Sequence, residues 1–438
     1  MTADSAPVAE PGALPAATPL DRTRARRAAL AGGVGTVIEY YDYSLYGFLA
    51  ATIAPLFFPN SDPTAAMMSA LLLFATGFLL RPFGGLIFGQ IGDRYGRKRA
   101  LLATLLTMGL ASTAVGLVPT YESLGVWATA LLVVFRGIQG VSAGGELGGS
   151  MTFIAESTHP GKRGAYGAAS TIGIMVGFAS AGAVVGLFSW LLPTAQFASW
   201  GWRVPFLLTL PLCLFCLWLR NRSEETLTQS EHPRIWTALR GLLAEDTRAL
   251  TLATFASIAV NGTSYIGLGY LSVHLIKVLE LPPTAVYWIA VVAILSSGGA
   301  AYVAGRCADR FGLMRVTLIG MVAFAALAIP AFALMTSGHL AAVLVAYTAL
   351  MCAATVAAAP VLAAVPLLFL PQHRYTGTAL AWNQGAVTAG ASTPVIAFWL
   401  VDRLSSPIAP AAVCLLAAAL GIVITFPIRR HLERRNHA

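Results

Sequence analysis

The segment GQIGDRYGRKR at Gly89–Arg99 lies between two apolar stretches, each long enough to cross a bilayer. A reduced copy, GRCADRFGLMR at Gly305–Arg315, recurs 216 residues later in the same setting. The shared pattern G-x-x-x-D-R-x-G, about half a chain apart, predicts two homologous membrane bundles and points to a transporter. About 20 apolar residues cross the hydrocarbon core as a helix. Lipid offers the backbone no hydrogen-bond partner, so such runs have to be helical. They lack two-residue alternation, which argues against an outer-membrane barrel. Only 11% of the 438 residues are charged, against about 25% in soluble domains.

Twelve spans are expected, over residues 28–56, 65–89, 100–119, 124–155, 164–190, 203–220, 248–279, 285–306, 315–336, 340–369, 374–400 and 408–428. The predicted organisation is a tail over 1–27, a six-helix bundle over 28–220, a polar connector over 221–247, a second six-helix bundle over 248–428 and a basic tail over 429–438. The fold class is an all-α integral membrane protein, twelve transmembrane helices in two pseudo-symmetric bundles. Residues 1–20 are rich in Ala and Pro and carry no apolar signal core, so a disordered tail is expected rather than a signal peptide.

Charge orients these spans. Of the 28 Lys and Arg, 23 fall on segments that a cytoplasmic N-terminus places inside, and only Arg203, Lys277 and Arg403 fall outside. Arg81 and Arg136 lie within spans. This asymmetry follows the positive-inside rule, puts both termini in the cytoplasm, and explains the net charge of +9 without a nucleic-acid partner. Trp127, Trp190, Trp200, Trp202 and Trp399 fall near span ends, as an interfacial belt does. Cys213 and Cys216 have redox or zinc spacing, but they lie in the run PFLLTLPLCLFCLWL with no second pair. They read as small apolar residues, and no metal site is predicted.

In the first loop Gly89, Gly92 and Gly96 permit a tight turn, and Asp93 is placed to cap a neighbouring helix or pair with an arginine. Arg94, Arg97, Lys98 and Arg99 follow. The repeat favours a conformational latch, whose contacts form in one state and break in the other, over a turn that only carries orienting charge. The second copy keeps Asp309, Arg310 and Gly312 but has Leu313 and Met314 in place of Arg97 and Lys98, so its latch is expected to be weaker. Glu156, beside Lys162 and Arg163, is expected to be a latch partner.

With these loops the chain resembles the major facilitator superfamily over about residues 28–428. It narrows to the metabolite:proton symporter family through IEYYDYSLYG at Ile38–Gly47, RPFGGLIFGQIGDRYGRKR from Arg81, FRGIQGVSAGGELGG at Phe135–Gly149, ESTHPGKRG at Glu156–Gly164 and FLPQHRYTGTALAWNQG at Phe369–Gly385. The resemblance implies a secondary transporter of a bacterial inner membrane. Members take up dicarboxylates, tricarboxylates, shikimate-like acids, aromatic acids, or proline and betaine, together with protons.

An ionisable residue within a span is costly and marks a functional candidate. Glu39 and Asp42, three apart, share a face of the first span, with Tyr43 and Tyr46 beside them. Arg136, Gln139 and Glu146 fall within about 80° of one another on the fourth span. Neither polar face can meet lipid, so the two are expected to meet around an internal cavity. Glu39 or Asp42 is expected to bind the coupling proton, since burial favours a neutral carboxyl. Arg136 is expected to hold a substrate carboxylate or to modulate the proton site; a structural ion pair between the two spans is the alternative. Arg81 is open between snorkelling to the surface and lining the anion path. Asn261, Tyr265 and Asn383 are open between substrate contacts and helix–helix contacts. His274 and Lys277 are expected at the interface.

The main expectation is proton-coupled uptake of a small organic acid by alternating access, by a functional monomer with the proton as coupling ion and no further cofactor. Proline or betaine uptake, and proton-driven export, are the alternatives. The fifth span, GAASTIGIMVGFASAGAVVGLF, lacks the proline of the exporters' G-P-x-x-G-G motif, and RSEETLTQS stands where sugar porters carry P-E-S-P-R. The terminal RRHLERRNHA is too short for the coiled coil of the osmosensing relative. No G-x-S-x-G, P-loop or metal-spaced cluster points to an enzyme.

Overall fold

The computed structural model describes residues 19–59, 62–84, 87–88, 97–221 and 235–436. Among them nine helices are long and apolar enough to cross a membrane: Pro63–Gly84, Val126–Glu156, Arg163–Leu191, Thr247–Val278, Pro283–Phe311, Leu313–Met335, Leu340–Leu368, Pro371–Leu404 and Ala411–Arg435. Ala103–Leu117 and Gly201–Phe215 are shorter apolar segments, and Pro19–Phe57 runs for 39 residues with the acidic pair at its centre. In chain order these are the twelve spans. The first begins earlier than expected, because the Arg- and Ala-rich stretch after Pro19 favours helix. The connector contains a helix, Ile235–Glu245. The last helix runs on through the basic tail to Asn436, supported by an Arg429–Glu433 pair at 2.8 Å.

The spans turn large apolar side chains outward, such as Leu79, Phe83, Val134 and Ile319, and pack against one another through small residues, as helices in lipid do. Gly77 and Gly84 of the second span lie against Gly140 and Val141 of the fourth so closely that a Cβ at Gly84 or Gly140 would strike backbone. Gly173 and Gly177 of the fifth span meet Gly33 and Val37 of the first, with Cβ positions 2.9 and 2.6 Å from their carbonyl oxygens. These contacts hold the first, second, fourth and fifth spans together at backbone distance.

Among the described residues, the fourth, seventh and eleventh spans carry 3₁₀ or π interruptions. The fourth breaks in a 3₁₀ turn at Ala143–Gly145. The seventh carries π-turns at Ile266–Tyr270 and His274–Val278, and the eleventh one at Ala386–Gly390. Such bulges are frequent at functional sites. Two side chains expected at the interface are buried instead. Trp202 packs edge-on against Phe57 and Phe206, and His274 lies against Phe332 with Nδ1 3.2 Å from the Tyr270 hydroxyl. Trp202 lies in a 3₁₀ turn and His274 opens a π-turn, so neither keeps the face that regular α-helical spacing assigns it. Arg203, close to a span end, donates to the carbonyls of Gly116 and Val118 at 3.0 and 2.5 Å, closing the end of the third span. Cys213 packs with Ile38, Leu105 and Met108.

The two bundles touch at both ends. At the end carrying the repeated loops, Gly148 and Gly167 lie against Ala379 and Ala363. At the opposite end, the Tyr287 hydroxyl donates to the Phe48 carbonyl at 3.2 Å, and the Ser189 and Thr284 hydroxyls are 2.7 Å apart. A Cβ at Gly305 would stand 2.5 Å from the Gly164 carbonyl across the bundle interface. Gly305→Ala is therefore expected to hold the motif end open, since overpacking costs ~1–3 kcal/mol. The check is the distance between spin labels at two exposed positions of that end, Lys162→Cys and Arg315→Cys; an unchanged distance distribution would refute it.

Candidate functional site

Glu39 and Asp42 diverge into two sites. Three residues on a helix differ by about 60° in direction, enough here to give each carboxylate different neighbours. Asp42 faces the interior of the first bundle. Gln139 Nε2 donates to its Oδ1 and Oδ2 at 3.1 and 3.0 Å. The Ser112 hydroxyl donates to Oδ1, and the Thr209 hydroxyl approaches it at 3.5 Å. Gln139 Nε2 is also 2.7 Å from Ser112 Oγ. The Tyr46 hydroxyl donates to Gln139 Oε1 at 2.8 Å, which fixes the direction of the amide. These donors are neutral and come from the first, third, fourth and sixth spans.

Arg136 is fully buried one helical turn from Gln139. Its guanidinium lies 4.1 Å from the Tyr43 ring centroid and 4.0 Å from that of Tyr46, an aromatic cradle that suits a planar cation. Nη2 approaches the Phe74 carbonyl at 3.4 Å, whereas Nε and Nη1 have no hydrogen-bond partner among the described residues. Gly77 makes the room: a Cβ there would stand 2.8 Å from Nε.

Glu39 turns toward the second bundle and meets Arg81, with Oε1 and Nη2 3.4 Å apart and both side chains 1% exposed. Arg81 is therefore an inward-facing residue and does not snorkel. Its guanidinium is 4.5 Å from the Tyr43 ring, 5.2 Å from Phe78 and 5.9 Å from Tyr40, and Nε lacks a hydrogen-bond partner. Further rings continue the wall. Tyr265 of the seventh span stands 5.1 Å from Phe78, 6.2 Å from Phe74 and 6.3 Å from Phe178 between centroids. Tyr43 stands 5.3 Å from Phe74, and Tyr40 stands 5.9 Å from Phe178. The result is a closely packed aromatic cluster where the two bundles meet, with one acid and one base buried in it. Breaking a buried pair of this kind from one side leaves an uncompensated charge, at a cost of about 3–5 kcal/mol.

The other expected residues lie elsewhere. Asn261 Nδ2 donates to the Ser257 carbonyl of its own helix at 2.8 Å. Asn383 Nδ2 donates to the Gly144 carbonyl at 2.9 Å, across the bundles and at the break in the fourth span. Both make helix contacts. Gly89, Asp93, Arg94 and Gly96 lie outside the described residues, and Arg97 and Lys98 open the helix Arg97–Leu117. The second loop does what the first was expected to do. Asp309 Oδ1 and Oδ2 accept from the N–H groups of Gly164 and Ala165 at 2.7 and 3.0 Å, capping the N-terminus of the fifth span, where a negative charge is favoured. Glu156 pairs across the bundles with Arg374 at 3.3 Å, not with its neighbour Arg163, whose guanidinium faces the repelling charge of Arg374. Arg310 stacks on Phe311 at 5.3 Å. Sequence reasoning passed over Ser112, Thr209, Tyr40, Phe78 and Phe178. None is charged, and a lone hydroxyl or ring in an apolar span carries no signal of which face it lies on.

One polar site inside the first bundle and a second where the two bundles meet, in a fold whose bundles touch at both ends, suit a secondary transporter. The comparisons with known proteins agree. A family model described as sugar (and other) transporter matches residues 28–227. The proline/betaine transporter of Escherichia coli K12 is 32% identical over 432 residues, covering 95% of this chain and 86% of that protein. The glycine betaine/proline/ectoine/pipecolic acid transporter of Dickeya dadantii is 33% identical over 429 residues, 94% of this chain and 85% of that one. Among solved structures, a D-xylose–proton symporter superposes with a TM-score of 0.71 at 18% identity, over 90% of this chain and 96% of that chain. A partially occluded inward-open form of the E. coli xylose transporter superposes with a TM-score of 0.69 at 16% identity, over 92% and 97%. The chain belongs to the major facilitator superfamily, in its metabolite:proton symporter family.

The two cross-bundle contacts at the motif end differ in strength. The Asp309 cap is worth about 1–2 kcal/mol, while the half-exposed Glu156–Arg374 pair is worth about 0–1 kcal/mol. Asp309→Ala is expected to shift the spin-label distance toward the open form several-fold more than Glu156→Ala. Equal shifts would refute the ranking.

Proposed function

We propose that this protein is a proton-coupled uptake system for a small zwitterionic osmolyte of the proline and betaine class. It would act as a monomer in a bacterial inner membrane, with both termini cytoplasmic and the proton as coupling ion. The observation that carries the reading is the buried Glu39–Arg81 pair inside the aromatic cluster, which we read as the closed form of the substrate chamber. A zwitterion carries the same two charges as that pair. Its carboxylate is complementary to Arg81, and its ammonium to Glu39 and to the faces of Tyr43, Phe78 and Tyr265, the surroundings that favour quaternary ammonium groups. It therefore enters without leaving a net charge in lipid. A di- or tricarboxylate would bring two or three negative charges to one arginine already paired with an acid. The two bacterial relatives, transporters of proline, betaine and related osmolytes, support the same substrate class, and the organic-acid expectation is less well supported than this alternative to it.

Asp42 takes the proton in this reading. It is held by amide and hydroxyl donors and has no salt bridge among the described residues, so a proton there breaks no ion pair but removes the negative charge that Arg136 feels. Gln139 and Tyr46 then link it to the cradle of Arg136, and Tyr43 links Arg136 to Arg81. A change of charge at Asp42 thereby loosens the packing of the substrate chamber.

The test is uptake into proteoliposomes under an inward proton gradient, with labelled proline, glycine betaine, citrate and shikimate. Protonophore-sensitive accumulation of proline or betaine is expected, while accumulation of only the carboxylates would return the reading to an organic-acid symporter. Asp42→Asn is expected to lose gradient-driven accumulation at least tenfold yet keep substrate exchange across the membrane. Full accumulation by that variant would remove Asp42 as the proton site.

A further inference from the structure

The motif end of the second bundle, its cytoplasmic rim in the orientation proposed above, carries a polar cluster that the substrate site does not use. Asp246 stands at the N-cap of the seventh span, where an aspartate ordinarily caps its own helix. Here its buried side chain turns away to the segment that joins the tenth and eleventh spans. Oδ2 accepts from the Leu370 N–H at 2.9 Å and lies 3.3 Å from His373 Nδ1. Oδ1 accepts from Nη2 of Arg435, on the last helix, at 3.0 Å. Arg435 Nη1 and His431 Nε2 lie 2.5 and 3.2 Å from the Leu368 carbonyl oxygen. The joining segment is thus tied to the start of the seventh span and to the end of the twelfth. Arg374, the next residue, donates from Nε to the Pro366 carbonyl at 3.1 Å and reaches across to Glu156 with Nη1 at 3.3 Å. The cluster therefore places the second bundle's side of that cross-bundle pair.

The ring of His373 is buried between two acids, Asp246 at 3.3 Å and the half-exposed Glu245 at 4.0 Å. The connector helix closes over it, since a Cβ at Gly241 would stand 2.8 Å from Nε2. Arg435 and His431 belong to the same cluster from the twelfth span, and Arg374 follows on its own helix. Arg240 and Arg248, on the elements that carry the two acids, are exposed. Histidine is the side chain that changes charge near neutral pH. We infer that Asp246, Glu245 and His373 form a proton-responsive clasp that positions Arg374 for Glu156. With the ring charged, both carboxylates attract it, and the joining segment is fixed with Arg374 against the first bundle. With the ring neutral that attraction is lost, and the pair loosens with the segment that carries Arg374. Acid on the cytoplasmic side therefore favours closure of the motif end. A transporter that carries protons inward would in this way slow its own release step as they accumulate.

The test is the distance distribution between spin labels at Lys162→Cys and Arg315→Cys, followed from pH 8 to pH 6 in lipid nanodiscs without substrate or gradient. The parent carries Asp42→Asn, which takes the proposed transport proton out of the response. The clasp acts through an ion pair that is half open to solvent, so its effect is bounded by what such a pair contributes. The closed-to-open ratio is expected to rise roughly two- to fivefold between pH 8 and pH 6. His373→Gln keeps a donor for Asp246 but gains no charge, and it is expected to flatten the profile. Arg374→Gln leaves the clasp and removes the arm it positions, and it is expected to flatten the profile as well. A packing role alone would change the ratio at every pH and leave its slope. A parent whose ratio does not rise with acid, or a full rise in either variant, would overturn the inference. Where His373→Gln does not fold, the half-exposed Glu245→Gln decides: it is expected to shrink the rise, and a full rise there would overturn the clasp too.

Discussion

Two buried guanidinium groups share one aromatic ring. Arg81 and Arg136 lie 4.5 and 4.1 Å from the centroid of Tyr43, and neither reaches water. An isolated charge in lipid is costly, so both cations have to be held by what the fold provides: the quadrupoles of Tyr43, Tyr46 and Phe78, one carboxylate at 3.4 Å and a backbone carbonyl at 3.4 Å. The Asp42 network, the cradle and the chamber are connected through that ring. Displacing Tyr43 would disturb both arginines together, which is why the site behaves as a unit rather than as two pockets.

The glycines make this arrangement possible. Gly77 leaves the space in which Arg136 lies, and Gly140 lets the fourth span approach the backbone of the second. Without a hydrophobic driving force between helices in lipid, close backbone approach and interhelical hydrogen bonds supply the cohesion. The same device recurs between the bundles, where Gly148, Gly164, Gly167 and Gly305 meet small partners. There the contacts have to separate during transport; they are made between small residues and backed by the half-exposed pair Glu156–Arg374 and the Asp309 cap. The interruptions of the fourth, seventh and eleventh spans lie in helices that line the interface between the bundles, where a change of helix direction alters the chamber.

Much of this was legible in the residues. Span number, the two-bundle repeat and the intramembrane charges Glu39, Asp42, Arg81 and Arg136 stand out because charge in an apolar run is rare. Their pairing was not legible. Glu39 and Asp42, three residues apart, look equivalent in sequence, yet one meets Arg81 and the other Gln139 and Ser112. An ion pair of Arg136 with the acidic pair was the alternative kept open for it, and Arg136 stacks on tyrosines instead, while Arg81, whose place was open, carries the ion pair. Asn261 and Asn383 have the polarity of ligand contacts but spend their donors on helix carbonyls.

What the sequence by itself determined is the solvent and the repeat: apolar runs of bilayer length have to be helices in lipid, and a loop repeated at half the chain makes two bundles of them. What only the tertiary structure decided is which polar groups face one another. Rotation of each helix about its axis is set by close packing at Gly77, Gly84, Gly173 and Gly177. A difference of some 60° there selects one neighbour over another. Sequence periodicity states the face a residue occupies on its own helix, but the partner of that face belongs to another span, brought into contact only by the packed bundle.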